Sequence, residues 1–110
     1  MKLLTENFRA RFGRPPTLAA RAPGRIEFIG NHTDYNGGTV LGASIDRGVT
    51  VALAPRGDGQ WCFATENRAG VVTVSATEQP ERRTGNDSWV NYPLGVIAAL
   101  AAHGRPVPAG

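Results

Sequence analysis

Five consecutive side chains with hydrogen-bonding atoms, Asn31, His32, Thr33, Asp34 and Tyr35, stand between Gly30 and the pair Gly37-Gly38. Asp34 is an acceptor-only carboxylate able to grip two vicinal hydroxyls, Asn31 offers a donor and an acceptor, and neutral His32 offers one of each. A polyhydroxylated sugar demands such dense, two-way hydrogen bonding. Glycines at 30, 37 and 38 allow positive φ and a close backbone approach to a ligand. Arg25, at the far end of the preceding hydrophobic segment, can set a fixed positive charge near a phosphate or a carboxylate. The same residue types also build turns, and Asn36-Gly37-Gly38 reads as one. The inventory alone leaves a ligand site and a structural loop both open.

Other chemistries find no residues to carry them. No GxxxxGK[ST] phosphate loop occurs, and Lys2 is the only lysine. His32 and His103 are too far apart in sequence for metal-ligand spacing, so the expected metal-site set is none, and no Ser/His/Asp arrangement can be assembled. The single cysteine, Cys62, excludes an internal disulfide and suits a reducing, cytoplasmic location. Twelve basic residues face nine acids for a net charge of +3, and the arginines are scattered from Arg9 to Arg105 without a clustered stripe. No nucleic acid partner is expected on that pattern. The longest near-apolar run, Val96 to Ala102, is far short of the ~20 residues of a spanning helix, and polar Thr5, Glu6 and Asn7 follow Met1 too soon for a secretory leader. No membrane partner is expected either. With 110 residues, 41% of them hydrophobic, the chain has room for one domain with a modest core.

The elements that must position the polar loop follow from periodicity. Leu4, Phe8 and Phe12 recur at helical spacing and predict a helix over residues 3–12, stopped by Gly13 and Pro15-Pro16. Residues 25–29, 39–45, 48–54, 61–65 and 71–75 read as five strands separated by turn residues. Residues 76–88 are polar and read as a loop. A second helix begins near Tyr92 with Asn91 as N-cap, puts Leu94, Ile97 and Ala101 on its core face, and ends at Gly104. Residues 105–110 carry no element and read as a connection. The fold class expected is α+β, a mixed or antiparallel sheet of about five strands with two flanking helices.

Ala22-Pro23-Gly24-Arg25-Ile26-Glu27-Phe28-Ile29-Gly30-Asn31-His32-Thr33-Asp34-Tyr35-Asn36-Gly37-Gly38 closely resembles the galactose-binding signature of galactokinases. These enzymes belong to the galactokinase, homoserine, mevalonate and phosphomevalonate kinase superfamily. The likeness continues through Val40-Leu41 and Ala43 to Asp46, and Trp89-Val90-Asn91-Tyr92 with Gly95-Val96 is similar to the W-x-N-Y-x-x-G-V of the same family. The resemblance implies that residues 1–110 are a partial N-terminal galactokinase-like domain, with the galactose signature at 22–38 and an adenine-side segment at 89–96. It implies Arg25 as the stabiliser of the transferring phosphoryl group. Asn31, His32, Thr33 and Asp34 then bind the sugar, and Trp89 and Tyr92 line the nucleotide pocket. The implied co-substrates are galactose, or a related sugar, and Mg-ATP.

Three departures accompany the likeness. Asn31 stands where the family has a glutamate, which removes a charge-assisted acceptor. Glu27 replaces an asparagine and, two residues from Arg25 on one strand face, is expected to pair with it. The family's phosphate-binding loop, downstream aspartate and late glycine-rich motif do not occur before Gly110. The expectation is the N-terminal part of an ATP-dependent sugar kinase acting at the anomeric hydroxyl. The alternatives are a non-catalytic sugar-binding or sensor module and an inert truncated piece.

Overall fold

The computed structural model describes residues 2–29, 37–77 and 81–110. Helix α1 spans Lys2–Phe12, strands β1 Leu18–Ile29 and β2 Leu41–Leu53 follow, then β3 Gln60–Phe63, β4 Val72–Ser75, a 3-10 helix Gly85–Val90 and helix α2 Asn91–Ala102. The chain divides into two compact units, residues 18–52 in one and residues 1–17 with 53–110 in the other.

The larger unit holds the core. β3 and β4 pair antiparallel, with Trp61 opposite Val74, Cys62 opposite Thr73 and Phe63 opposite Val72. Alternation along the strands sends Trp61, Phe63, Val72 and Val74 to one face. There they pack with Val90 and Leu94, and Ala76, Trp89 and Ile97 complete the cluster. On the opposite face, Cys62 Sγ lies 3.6 Å from the Thr73 hydroxyl. α1 ends as the sequence requires: Gly13 takes φ 73° and donates its N–H to the Arg9 carbonyl at 2.8 Å. The Phe8 and Phe12 rings lie 4.8 Å apart on its inner side.

Residues 105–110 do more than connect. Gly110 N–H donates to the Gln60 carbonyl at 3.2 Å, and Cys62 N–H donates to the Gly110 carbonyl at 2.8 Å. That alternation is the hydrogen-bond pattern of a parallel bridge centred on Trp61. Trp61 Nε1 also donates to the Pro108 carbonyl at 3.0 Å, so the core indole holds the tail and its own polar atom is satisfied.

The smaller unit is one two-stranded sheet of β1 and β2. Gly42 lies against Ile26, Gly24 against Ile45 and Arg47, and Gly48 against Ala22, so the partners run in opposite directions and the pair is antiparallel. Arg21 reinforces it, its guanidinium donating to the Asp46 carbonyl at 2.5 Å.

The described elements correct the expected sheet. In place of one sheet of about five strands there are two sheets of two strands each. The expected strands 39–45 and 48–54 are a single strand, because Gly48 does not break the pairing. It permits it: a Cβ there would stand 2.2 Å from the Ala22 carbonyl oxygen, so only glycine lets the backbones meet. β1 likewise begins at Leu18, not Arg25, and runs through Pro23. A proline is tolerated in a two-stranded ribbon because its missing N–H can face outward.

The polar stretch 76–88 also contains structure, since the 3-10 helix starts at Gly85. It runs directly into α2, leaving Val90, with helical φ and ψ, as the residue before the α-helix and no extended position for a cap. Asn91 is therefore not the N-cap. Its side chain turns to the backbone of Arg83 instead.

Candidate functional site

Arg25 sits in β1 with an exposed side chain. Its neighbour Gly24 packs closely on β2, where a Cβ would meet the Arg47 carbonyl oxygen and the Ile45 side chain at 3.2 Å. Successive residues of a strand point to opposite faces, so Arg25 lies on the face away from that contact. No ion pair joins Arg25 to Glu27, which corrects the pairing expected between them. The described ion pair is Arg56 with Asp58. Residues i and i+2 of a strand are ~6.6 Å apart, and two exposed side chains gain little by bridging that span in water.

The expected sugar-binding residues Asn31, His32, Thr33 and Asp34 lie outside the described residues. The described residues resume at Gly37, whose φ of 77° is the left-handed turn conformation that glycine favours.

Trp89 and Tyr92, expected to act together, occupy different surroundings. Trp89 packs half-buried against the core cluster. One side of it lines a cavity of about 390 Å³, bounded also by Arg68, Gly70, Val72, Asn86 and Asp87. Tyr92 begins the exposed side of α2, is 83% exposed, and does not line that cavity. Arg25 belongs to the unit of residues 18–52 and both aromatics to the other.

The cavity wall is held by residues that sequence reasoning passed over. The Arg11 guanidinium reaches from α1 to the Gly70 carbonyl at 3.0 Å and the Arg68 carbonyl at 3.3 Å. Asn7, one turn earlier, donates to Glu66 at 2.8 Å. Arg68 in turn donates to the Asn86 carbonyl at 3.4 Å, tying one wall of the cavity to the other. The helical spacing of Asn7 and Arg11 was visible in the sequence, but their partners lie 57 to 59 residues away. Among the described residues no group of three or more His, Cys, Asp or Glu side chains comes together to hold a metal. No helix among them is long and apolar enough to cross a membrane.

Among the described residues the arrangement is an exposed, strand-borne arginine in one unit and, in the other, a polar cavity walled by an indole. Comparison with known proteins shows what the chain is similar to. Residues 6–55 match the model of the galactokinase galactose-binding signature. The galactokinase of Staphylococcus carnosus is 35% identical over 107 residues, covering 97% of this chain and 28% of that enzyme. The galactokinase of Bacillus subtilis is 41% identical over 91 residues, covering 81% of this chain and 23% of its own length. Among solved structures, Lactococcus lactis galactokinase complexed with galactose superimposes with a TM-score of 0.76 at 34% identity, covering 99% of this chain and 28% of that one. The chain is thus similar, along nearly its whole length, to the N-terminal galactose-binding region of galactokinases. It spans about a quarter of the length of these curated relatives.

Proposed function

We propose that this chain is the sugar-recognising part of a galactokinase-type kinase that phosphorylates galactose, or a related sugar, at its anomeric hydroxyl. The observation that carries the reading is the galactose-binding signature over residues 6–55, which contains both Arg25 and the polar run Asn31 to Asp34. In this reading Asp34 accepts hydrogen bonds from ring hydroxyls, and Asn31, His32 and Thr33 complete the cradle. The anomeric oxygen attacks the γ-phosphorus of ATP, the bond to the β–γ bridging oxygen breaks, and the hydroxyl proton is released. Arg25 stabilises the charge spread over the transferring group, the contribution that phosphoryl transfer most requires. Trp89 offers a flat face to the nucleotide base, and the cavity beside it supports that role. Tyr92 is assigned to the nucleotide side with it. Magnesium bound to ATP would supply charge neutralisation at the phosphates, and no residue of this chain is assigned to hold it.

Calorimetric titration of the purified 110-residue chain with galactose tests the sugar half. The expected result is saturable heat that is lost in Asp34→Ala. Absence of heat in the unsubstituted chain would refute the sugar reading. Heat that persists unchanged in Asp34→Ala would take the sugar contact away from Asp34. No turnover with ATP is expected of these 110 residues alone, in which the family's phosphate-binding loop does not occur.

A further inference from the structure

We infer that Arg11 is a positioning residue for nucleotide binding: from α1 it fixes the β3–β4 connection, which walls the cavity beside Trp89. The inference rests on the reading of that cavity as the nucleotide side of the site. At about 390 Å³ the cavity falls in the range of small-ligand sites, roughly 300–1,000 Å³. Its wall needs holding from outside. The connection runs from Ala64 to Val71, eight residues between Phe63 and Val72. A tight hairpin would use roughly two to five. Residues 66–70 are all exposed, so burial does not set their place. Hydrogen bonds inside the connection are long, with Asn67 N–H 3.4 Å from the Thr65 hydroxyl and Arg68 N–H 3.4 Å from the Thr65 carbonyl.

The shorter bonds come from two successive turns of α1. Asn7 donates to the Glu66 carboxylate at 2.8 Å. Arg11, four residues on and on the same side of the helix, donates through Nη1 to the Gly70 carbonyl at 3.0 Å and through Nη2 to the Arg68 carbonyl at 3.3 Å. A guanidinium can hold two carbonyls at once because its donors are fixed in one plane, whereas a lysine ammonium is a point charge on a flexible stem. Gly70 has a φ of 89°, so the chain turns at the carbonyl that Arg11 holds. From the other side, the Arg68 side chain donates to the Asn86 carbonyl at 3.4 Å, on the 3-10 helix that carries Trp89. Arg68, Gly70, Asn86 and Trp89 all line the cavity, and Arg11 does not. Arg11 therefore acts through the wall it fixes. A wall set before the ligand arrives loses less freedom on binding.

The test titrates adenosine, which carries the base without phosphates, into the purified 110-residue chain and reads the two tryptophan indole N–H signals by NMR. Trp89 reports on the cavity, and Trp61, whose indole donates to the Pro108 carbonyl, reports on the core. The Trp89 signal is expected to shift saturably. Arg11→Ala should weaken the affinity by about fivefold or more, the cost of a wall no longer preorganised, and leave the Trp61 signal unmoved. Arg11→Lys keeps the charge without the planar fork and should stay weak. If Arg11→Ala does not fold, Arg11→Gln takes its place. Equal affinity in Arg11→Ala would overturn the inference and leave the nucleotide reading intact. Full recovery in Arg11→Lys would overturn it by assigning the effect to charge. A Trp61 signal displaced along with the loss would overturn it by assigning a general loosening of the core. No shift of Trp89 in the unsubstituted chain would remove the nucleotide reading and this inference with it, so the two failures are distinguishable.

Discussion

Asn91 holds the backbone of Arg83 from both sides: its Oδ1 accepts the Arg83 N–H at 2.7 Å and its Nδ2 donates to the Arg83 carbonyl at 2.8 Å. This two-bond ring fastens the segment after residue 80 to the first turn of α2. Asn91→Ala leaves a part-buried donor and acceptor without partners, and a cost of about 2 kcal/mol is expected. Asn91→Asp keeps the acceptor and loses the donor, so it should fall between. Urea unfolding of the three proteins checks the order, and an alanine variant as stable as the parent would contradict it.

Gly48 should be the least replaceable glycine of the smaller unit. A methyl group there would lie 2.2 Å from the Ala22 carbonyl oxygen, whereas at Gly57 nothing stands within 4 Å. Gly48→Ala is expected to separate β1 from β2 and remove the amide protection of both, while Gly57→Ala leaves exchange unchanged. Hydrogen exchange read residue by residue distinguishes them. Protection retained in Gly48→Ala would mean that the strands can move apart at little cost.

Leu94 and Leu100 share a helix and a side-chain volume but not an environment. Leu94 is buried in the core cluster, and Leu94→Ala is expected to cost about 3 kcal/mol from lost transfer energy and the cavity left behind. Leu100 points outward, so Leu100→Ala in the isolated chain should cost under about 1 kcal/mol. Similar losses for the two in thermal melts would contradict the assigned inner and outer faces.

The Arg56–Asp58 pair gives the acid limb a defined sign. Its hydrogen bond from Arg56 lowers the Asp58 pKa below the ordinary carboxylate value, with a smaller contribution from the Gln60 N–H. A carboxyl depressed in the folded state adds stability above its unfolded pKa of about 3.9, and that stability is lost as pH falls through the lower folded value. The pair is solvent-exposed, so the effect is small. Asp58→Asn should lower the melting temperature slightly at about pH 6 and converge with the parent near pH 2. A difference that stays constant across that range would contradict the assignment.

Arg25 is tested in a chimera in which residues 1–110 replace the matched region of Staphylococcus carnosus galactokinase. Arg25→Ala is expected to lower kcat by roughly 100-fold or more while leaving the KM for galactose nearly unchanged, the behaviour of a group that acts on the transition state. An unaltered kcat, or a loss confined to KM, would remove Arg25 from its assigned role.

Local patterns in the sequence determined the helices, because each depends on neighbours a few residues away. Leu4, Phe8 and Phe12 mark α1, Gly13 ends it, and Leu94 and Ile97 mark the core side of α2. Residues 22–38 were legible through their resemblance to the galactose-binding signature, which the family model matches over residues 6–55, whereas their inventory alone left a ligand site and a structural loop both open. What the sequence could not determine was how distant segments meet. Gly48 looks like a strand break until Ala22 is placed against it. Asn91 looks like a cap until Arg83 is found beside it, and residues 105–110 look like a connection until Gly110 bridges Gln60 and Cys62. Trp89 and Tyr92 share a motif, yet Trp89, in the 3-10 helix, packs on the core and Tyr92, in the first turn of α2, faces outward. Those contacts form between residues far apart in the chain, where the backbone groups to be satisfied and the space available are properties of the folded molecule alone.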